Sequence, residues 1–213
     1  ALFEQALAQK AEAQKARIAA YFDPLPFYYE PLESHVTDKH RYPLAAITQR
    51  PMAMYHSWDS QNAWLRQIHT HNVLFINTRT ARAAGVADSD WVWIESQWGK
   101  VRAMARHSEA VEPGTVWTWN AIGKASGAWN LAPDANESRL GFLLNPLISE
   151  ELPAGQGSAK ISNSDPVTGQ AGWYDVRVRV TRDADQQAPK SQPQFEAMKP
   201  YPGMAQRPGI LAT

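Results

Sequence analysis

The sequence predicts a mainly β domain with a few short helices, preceded by a helical lead-in and followed by an extended tail. Three observations predict this class. The stretch "WYDVRVRVT" alternates with period two, so Val176, Val178 and Val180 face inward and Arg177 and Arg179 outward. "WVWIES" and "VRAMAR" are alternating runs joined through "QWGK", the pattern of a β-hairpin. "YPLAAITQ" and "NVLFIN" are apolar runs of strand length bounded by polar and turn residues.

The elements follow in order. Residues 1–20 are rich in Ala, Gln, Lys and Glu and lack Gly and Pro, which predicts a helix with only a modest apolar face. "YFDPLPFYYEPLE" carries three Pro, which forbid a regular element and predict an extended strap. Residues 1–41 therefore form a lead-in to a domain spanning 42–182. After the strand at 42–49, Ser57, Asp59 and Ser60 are capping types, and Trp64, Leu65 and Ile68 share one face. The expectation is a helix starting near Asp59 that buries this face. "TRTARAAGVADSD" predicts a second helix, with Thr78 as its cap and Gly85 as its stop. "VEPGTVWTW" is a Pro-Gly turn entering another strand. Segment 120–172 is loop-rich, and loops of that length inside a compact domain are usually functional or poorly ordered. Residues 183–213 carry five Pro and little periodicity, which predicts an extended arm.

Composition narrows the function classes. Hydrophobic residues make up 44% of the chain, enough for a sizeable core. Lys plus Arg equals Asp plus Glu at 21 each, which argues against a general nucleic-acid binder and leaves a local anion site open. The absence of cysteine excludes disulfides, thiolate metal sites and a cysteine nucleophile within this chain. No apolar run approaches the roughly 20 residues of a membrane span. A cytoplasmic location is the default expectation. No basic, apolar, small-residue signal opens the chain, and because it begins at Ala1 rather than Met its native N-terminus is expected to be missing.

The order of the pieces carries a resemblance. "YPLAAITQR", "YHSWDSQNAWLRQI", "FINTRTARAAGVADSDWVWIESQWGKVRAMA" and "VEPGTVWTWNAIG" follow one another at characteristic spacing. "LLNPLIS" and "SDPVTGQAGWYDVRVRV" come later. This order resembles the C-terminal domain of the dimethyl sulfoxide reductase family of molybdenum or tungsten enzymes, which binds the molybdopterin guanine dinucleotide cofactor. It covers 42–182, about two-thirds of the chain. Within the family, "TWNAIGK" and "GFLLNPLIS" look most like large subunits of sulfite dehydrogenase or polysulfide-reductase type complexes.

The resemblance implies a six-stranded double-psi β-barrel, whose closure removes sheet edges. It implies redox chemistry at a metal ligated in other domains of the same catalytic subunit, so the isolated chain is expected to be inactive and to hold no cofactor. Those preceding domains are the implied partners, together with an iron–sulfur electron-transfer subunit. By position in the motif it assigns cofactor contacts to Thr48, Gln49, Arg50, His56, Ser57 and Asn62. Arg50 and the helix starting near Asp59 would take the pyrophosphate, since guanidinium forks and free helix N–H groups both suit phosphate. Asn130, Asn145 and Tyr174 are further cofactor-binding candidates, with Asn120 a weaker one.

Plainer explanations stand beside these. Ser57 or Asp59 would cap a helix with or without a cofactor. His56, Ser57 and Asp59 are too close in sequence for a nucleophile and base, and no nucleophile elbow surrounds Ser57. His69 and His71 have a spacing metals use, but no third ligand is apparent. Asp165, Pro166 and Gly169 read as a turn, and the Trp pairs 91/93 and 117/119 as barrel packing. Two other functions compete with the cofactor domain: a double-psi interaction module without catalysis, and a small hydrolase. The first would not need Arg50, His56, Ser57 and Asn62 together, and the second lacks a triad pattern.

Overall fold

The computed structural model describes residues 37–55, 58–120, 139–149 and 176–187, and short strands at 151–152, 161–162 and 195–197. Single residues at 5, 8, 12, 15, 122, 132, 134 and 135 are also described. The strap at 21–33 and the expected turn at Asp165, Pro166 and Gly169 lie outside the described residues. In the lead-in, Gln5, Ala8, Glu12 and Lys15 are helical, and Lys15 Nζ pairs with Glu12 Oε1 at 2.6 Å.

Nine strands are described: β1 (Leu44–Gln49), β2 (Leu74–Ile76), β3 (Trp91–Glu95), β4 (Gly99–His107), β5 (Thr115–Trp119), β6 (Glu151–Leu152), β7 (Ile161–Ser162), β8 (Val176–Arg182) and β9 (Phe195–Ala197). Two short helices, α1 (Ala63–Ile68) and α2 (Thr78–Ala83), sit in the connections on either side of β2. Six strands hydrogen-bond in the order β2-β5-β1-β8-β3-β4, and a β2–β4 pairing closes the sheet into a barrel. Two pairings are parallel, β1 with β5 and β2 with β4, and only β3 and β4 form a simple hairpin. The six-stranded barrel expected from the resemblance is thus present. β9 adds outside it, along β4. The tail expected as an extended arm contributes this strand.

Period-two alternation sorts the core. Val92 and Ile94 from β3, Val101, Ala103 and Ala105 from β4, Val116 from β5, and Val176, Val178 and Val180 from β8 all face inward. Leu74, Ile76, Ala81 and Val86 complete the cluster from the β2–α2 side. Phe142 and Leu147 enter it from the segment expected as loop. The four tryptophans read as barrel packing are absent from this cluster and lie on the outer face. Trp117 stacks on Phe75 (centroids 3.9 Å, planes 8° apart), and Trp119 meets both edge-on. In β3 and β5 the core residues Val92, Ile94 and Val116 occupy even positions, so the tryptophans at 91, 93, 117 and 119 point away from the core and pack outside the barrel.

The turns show why the chain folds this way locally. Helix α2 is capped by Asn77 rather than Thr78. Asn77 Oδ1 accepts from Arg79 N–H at 2.8 Å, while its Nδ2 donates to the Val111 carbonyl at 2.7 Å. Gly85 does end this helix. Its φ of 67° is left-handed, and Val86 N–H reaches back to the Ala81 carbonyl at 2.9 Å. In the β3–β4 turn, the buried Ser96 hydroxyl lies 2.7 Å from the Leu147 carbonyl. It also accepts from Trp98 and Gly99 N–H groups, tying the hairpin to the 3-10 turn at Asn145–Leu147.

Along β8 the expected phase holds. Val178 is fully buried, and the arginines point out, though not into open solvent. Arg177 donates to the Tyr42 and Pro43 carbonyls, and Arg179 to Glu95 at 2.7 and 3.0 Å. Surface ion pairs contribute less than about 1 kcal/mol, whereas truncating a buried aliphatic costs on the order of 1–4 kcal/mol. Val178→Ala is therefore expected to lower the thermal midpoint several-fold more than Arg179→Ala. Equal shifts by differential scanning calorimetry would contradict this strand phase.

Candidate functional site

One end of the barrel gathers unusual polarity. Strands β1 and β5 run parallel, with Thr48 opposite Thr118 and Gln49 opposite Trp119. The next step is a hydrogen bond from Asn120 N–H to the Gln49 carbonyl at 2.9 Å. The antiparallel pairing of β2 with β5 brings Asn72 to the same end, where its Nδ2 donates to the Trp119 carbonyl at 2.8 Å. Leu44 and Ala46 pack against the core, so Thr48 continues the inward face of β1, as Thr118 and Asn120 continue that of β5.

Partners are unevenly distributed among these groups. The Thr118 hydroxyl lies 2.7 Å from Asn72 Oδ1 and 2.9 Å from the Val73 carbonyl. Thr48 Oγ1 and Asn120 Oδ1 are buried with no hydrogen-bond partner. Most buried polar atoms in native structures are paired, and leaving one unpaired costs about 1–3 kcal/mol. The sequence motif points to Thr48, only weakly to Asn120 and not at all to Asn72. An amide directly before a strand, as in "HNVLF", is the signal that could have found it.

The other expected residues fall into three groups. Gln49 and Arg50 are exposed at the same end, and Arg50 has no partner among the described residues. Asn62 is present but committed. The expected helix at Asp59 is a 3-10 turn over Trp58–Gln61, and α1 starts only after Asn62, whose Oδ1 caps Trp64 N–H at 3.0 Å and Leu65 N–H at 3.3 Å. Asp59 instead accepts from Tyr55 N–H at 2.7 Å. The Trp64 and Leu65 N–H groups at the start of α1 are thus taken by Asn62. The expected buried face is also absent. Trp64 and Ile68 are 79% and 64% exposed, and no residue of α1 is buried. Asn145 is exposed in its 3-10 turn, away from the orphaned pair in sequence and in sheet position. His56, Ser57, Asn130 and Tyr174 lie outside the described residues.

Two histidines flank the site on the barrel's outer side. His69 meets Trp119 edge-on at 5.2 Å, and both His71 nitrogens are buried without a hydrogen-bond partner. No metal-competent cluster of three His, Cys, Asp or Glu occurs among the described residues. Burial, then the Arg106 charge, holds the His71 pKa below its ordinary 6.5, and burial does the same for His69. The unfolded chain therefore binds protons that the folded chain refuses. Stability from this source is complete above about pH 6.5 and declines as pH falls through the depressed folded values. The thermal midpoint is expected to fall between about pH 6.5 and pH 5, and His71→Phe should flatten the slope. A flat wild-type profile would contradict the buried neutral ring.

A closed barrel whose mouth carries orphaned hydrogen-bonding atoms beside an exposed arginine is a scaffold for holding a polar, anionic cofactor. Residues 44–150 match the molybdopterin dinucleotide binding domain, and the chain belongs to that family. Among its relatives, a sulfite dehydrogenase subunit of Allochromatium vinosum is 63% identical over 201 residues, 94% of this chain and 21% of that protein. The putative dimethyl sulfoxide reductase catalytic subunit of Halobacterium salinarum is 29% identical over 161 residues, covering 74% of this chain and 16% of that protein. The chain thus spans about a fifth or less of these relatives' lengths. Acetylene hydratase from Pelobacter acetylenicus shares the fold, with a TM-score of 0.56 at 20% identity over 78% of this chain and 22% of that one.

The donor set fits the cofactor this family binds. When bound, a molybdopterin dinucleotide would present heterocycle edges suited to hydroxyl and amide groups such as the unpaired Thr48 and Asn120 atoms, and a pyrophosphate suited to an exposed guanidinium such as that of Arg50.

Proposed function

We propose that this chain is the cofactor-holding domain of a larger sulfite-oxidising catalytic subunit. The observation that carries the reading is the 63% identity to the Allochromatium vinosum sulfite dehydrogenase protein across 94% of the chain. When bound, the cofactor's metal would supply the oxygen-atom and electron transfer. The chain's own work is binding and orientation. Arg50 supplies a charge-assisted fork to the pyrophosphate, while Thr48, Gln49, His56, Ser57, Asn130, Asn145 and Tyr174 are proposed as neutral or aromatic contacts to the rest of the cofactor. Asn62 fixes the start of α1 through its Oδ1 and is proposed as a further cofactor contact. The proposed partners are the remaining domains of the same polypeptide, with an iron–sulfur subunit carrying electrons away.

A charge-assisted contact to a largely buried phosphate contributes about 1.5–3 kcal/mol, roughly ten- to a hundredfold in affinity. In the full-length protein, Arg50→Ala is expected to lower cofactor occupancy, read as oxidised pterin released per polypeptide. The melting temperature of the cofactor-free protein should barely move. Unchanged pterin content would remove Arg50 from the site. Sulfite-dependent reduction of an electron acceptor by the wild-type protein tests the reaction, and its absence from a molybdenum-replete sample would overturn the sulfite assignment.

A further inference from the structure

We propose that the apolar surface formed by the segment after β1 is a docking face for the remaining domains of the same polypeptide. The inference rests on the reading of this chain as part of a larger catalytic subunit and assigns the face through which it is held there. Seven large hydrophobic side chains are exposed among the described residues, and five of them, Met52, Tyr55, Trp58, Trp64 and Ile68, fall within residues 52–68. Ile47 is a sixth, on the outward face of β1 beside Trp117 of β5. The two parts are joined. His69, which closes α1, meets Trp119 edge-on, and Trp119 meets Trp117 with ring centroids 4.8 Å apart. Single exposed apolar residues are ordinary on a protein surface, but a clustered run of this kind marks an interaction site.

The helix itself points the same way. Helix α1 has six residues, none of them buried, and helices below about 12–15 residues are marginal in water without packing. The Asn62 cap settles where α1 starts but covers none of its apolar side. Trp64 and Ile68 are one turn apart, so they project together from that side. Trp, Tyr and Met are types enriched in the buried centres of protein–protein contacts. The occupant follows from chain length. The Allochromatium vinosum relative matches 94% of this chain with only 21% of its own length. The larger part of such a polypeptide is therefore tethered to this face, at the high effective concentration that favours a linked partner over a second copy or a separate protein.

Hydroxyl-radical footprinting read by mass spectrometry tests this, comparing the 213-residue chain with the cofactor-free full-length polypeptide purified without other subunits. Met52, Trp58 and Trp64 are expected to label readily in the short chain and about fivefold or more slowly in the long one. Equal labelling would overturn the proposal. So would protection that appears only once cofactor or another subunit is added, since either names a different cover. The paired variant Trp64→Asp with Ile68→Asp should leave the thermal midpoint of the short chain within about 2 °C, because both side chains are exposed there. The same pair should speed proteolytic release of this domain from the full-length polypeptide about tenfold, and unchanged release would overturn the face. Sedimentation of the short chain separates the other occupants. A dimer, or co-pelleting with phosphatidylglycerol vesicles, that the paired variant abolishes would give the face to a second copy or to lipid and overturn the proposal. Because labelling is read without cofactor, equal labelling defeats the docking face alone, and unchanged pterin content in Arg50→Ala bears on the cofactor site instead.

Discussion

Replacing Arg102 with alanine is expected to destabilise the barrel by about 3–5 kcal/mol, the cost of breaking a buried ion pair by removing one partner. Arg102 sits on the outward face of β4, yet it is only 2% exposed. Its guanidinium lies over the Trp91 ring at 4.7 Å, pairs with the Asp183 carboxylate and donates to the Asp185 carbonyl. Gln186 adds a second clasp, accepting from Trp91 N–H at 2.8 Å and donating to the Trp91 carbonyl at 3.0 Å. The chain after β8 is thereby folded across the start of β3. Truncating Arg102 would leave the Asp183 carboxylate nearly buried and uncompensated. Asp183 titrates below the ordinary carboxylate range because its bonds to Arg102 and the Asp185 N–H outweigh burial, which pushes the other way. The stability it contributes is present above about pH 4 and is lost as pH falls through the lowered folded value, so the Arg102→Ala penalty should shrink in acid. Urea denaturation of both proteins at pH 7 and pH 3 checks this. A loss below about 1 kcal/mol at pH 7 would class the contact with ordinary surface pairs.

Phe142→Ala is expected to cost a similar amount, about 3–5 kcal/mol, through lost transfer energy and a residual cavity. Phe142 is the largest fully buried side chain among the described residues, and it packs into the barrel core with Leu147. The segment around it has no regular strand, so a merely surface loop would tolerate the change to within about 0.5 kcal/mol. A small loss would show that 139–149 lies over the barrel without plugging it.

These two sites mark where the sequence is hard to read. Strand phase is legible because an inward Val and an outward Arg alternate along β8, and the β3–β4 hairpin because two alternating runs flank one turn. Arg102 also has the outward phase, and nothing local shows that residues 81 positions later fold over it. Phe142 has no periodic neighbours to betray its burial. In α1 the i, i+1, i+4 pattern of Trp64, Leu65 and Ile68 is correctly helical. Periodicity reports a helix's apolar face and not whether this chain covers it. The expected cap is misplaced because Asp59 and Asn62 are both good capping types, and only backbone geometry chooses between them. At the site, Thr48 and Arg50 are legible through the motif, whereas the arrival of Asn120 at the Thr48–Gln49 end of β1 arises from a parallel register that joins distant segments.

That register has a consequence for how the protein is made. Leu44 of β1 pairs with Val178 of β8, 134 residues later, and its other neighbour, β5, begins at Thr115. Parallel and long-range pairings close large loops before they return any contact, so folding of this barrel should be slow for its size. At about 5–20 residues per second, a ribosome needs roughly 7–27 seconds between delivering the first of these strands and the last. Through that interval Leu44–Gln49 waits with an unsealed flank beside a tryptophan-rich nascent chain. Protection by a chaperone is most valuable in that window, and slower translation after residue 119 would lengthen the exposure rather than relieve it.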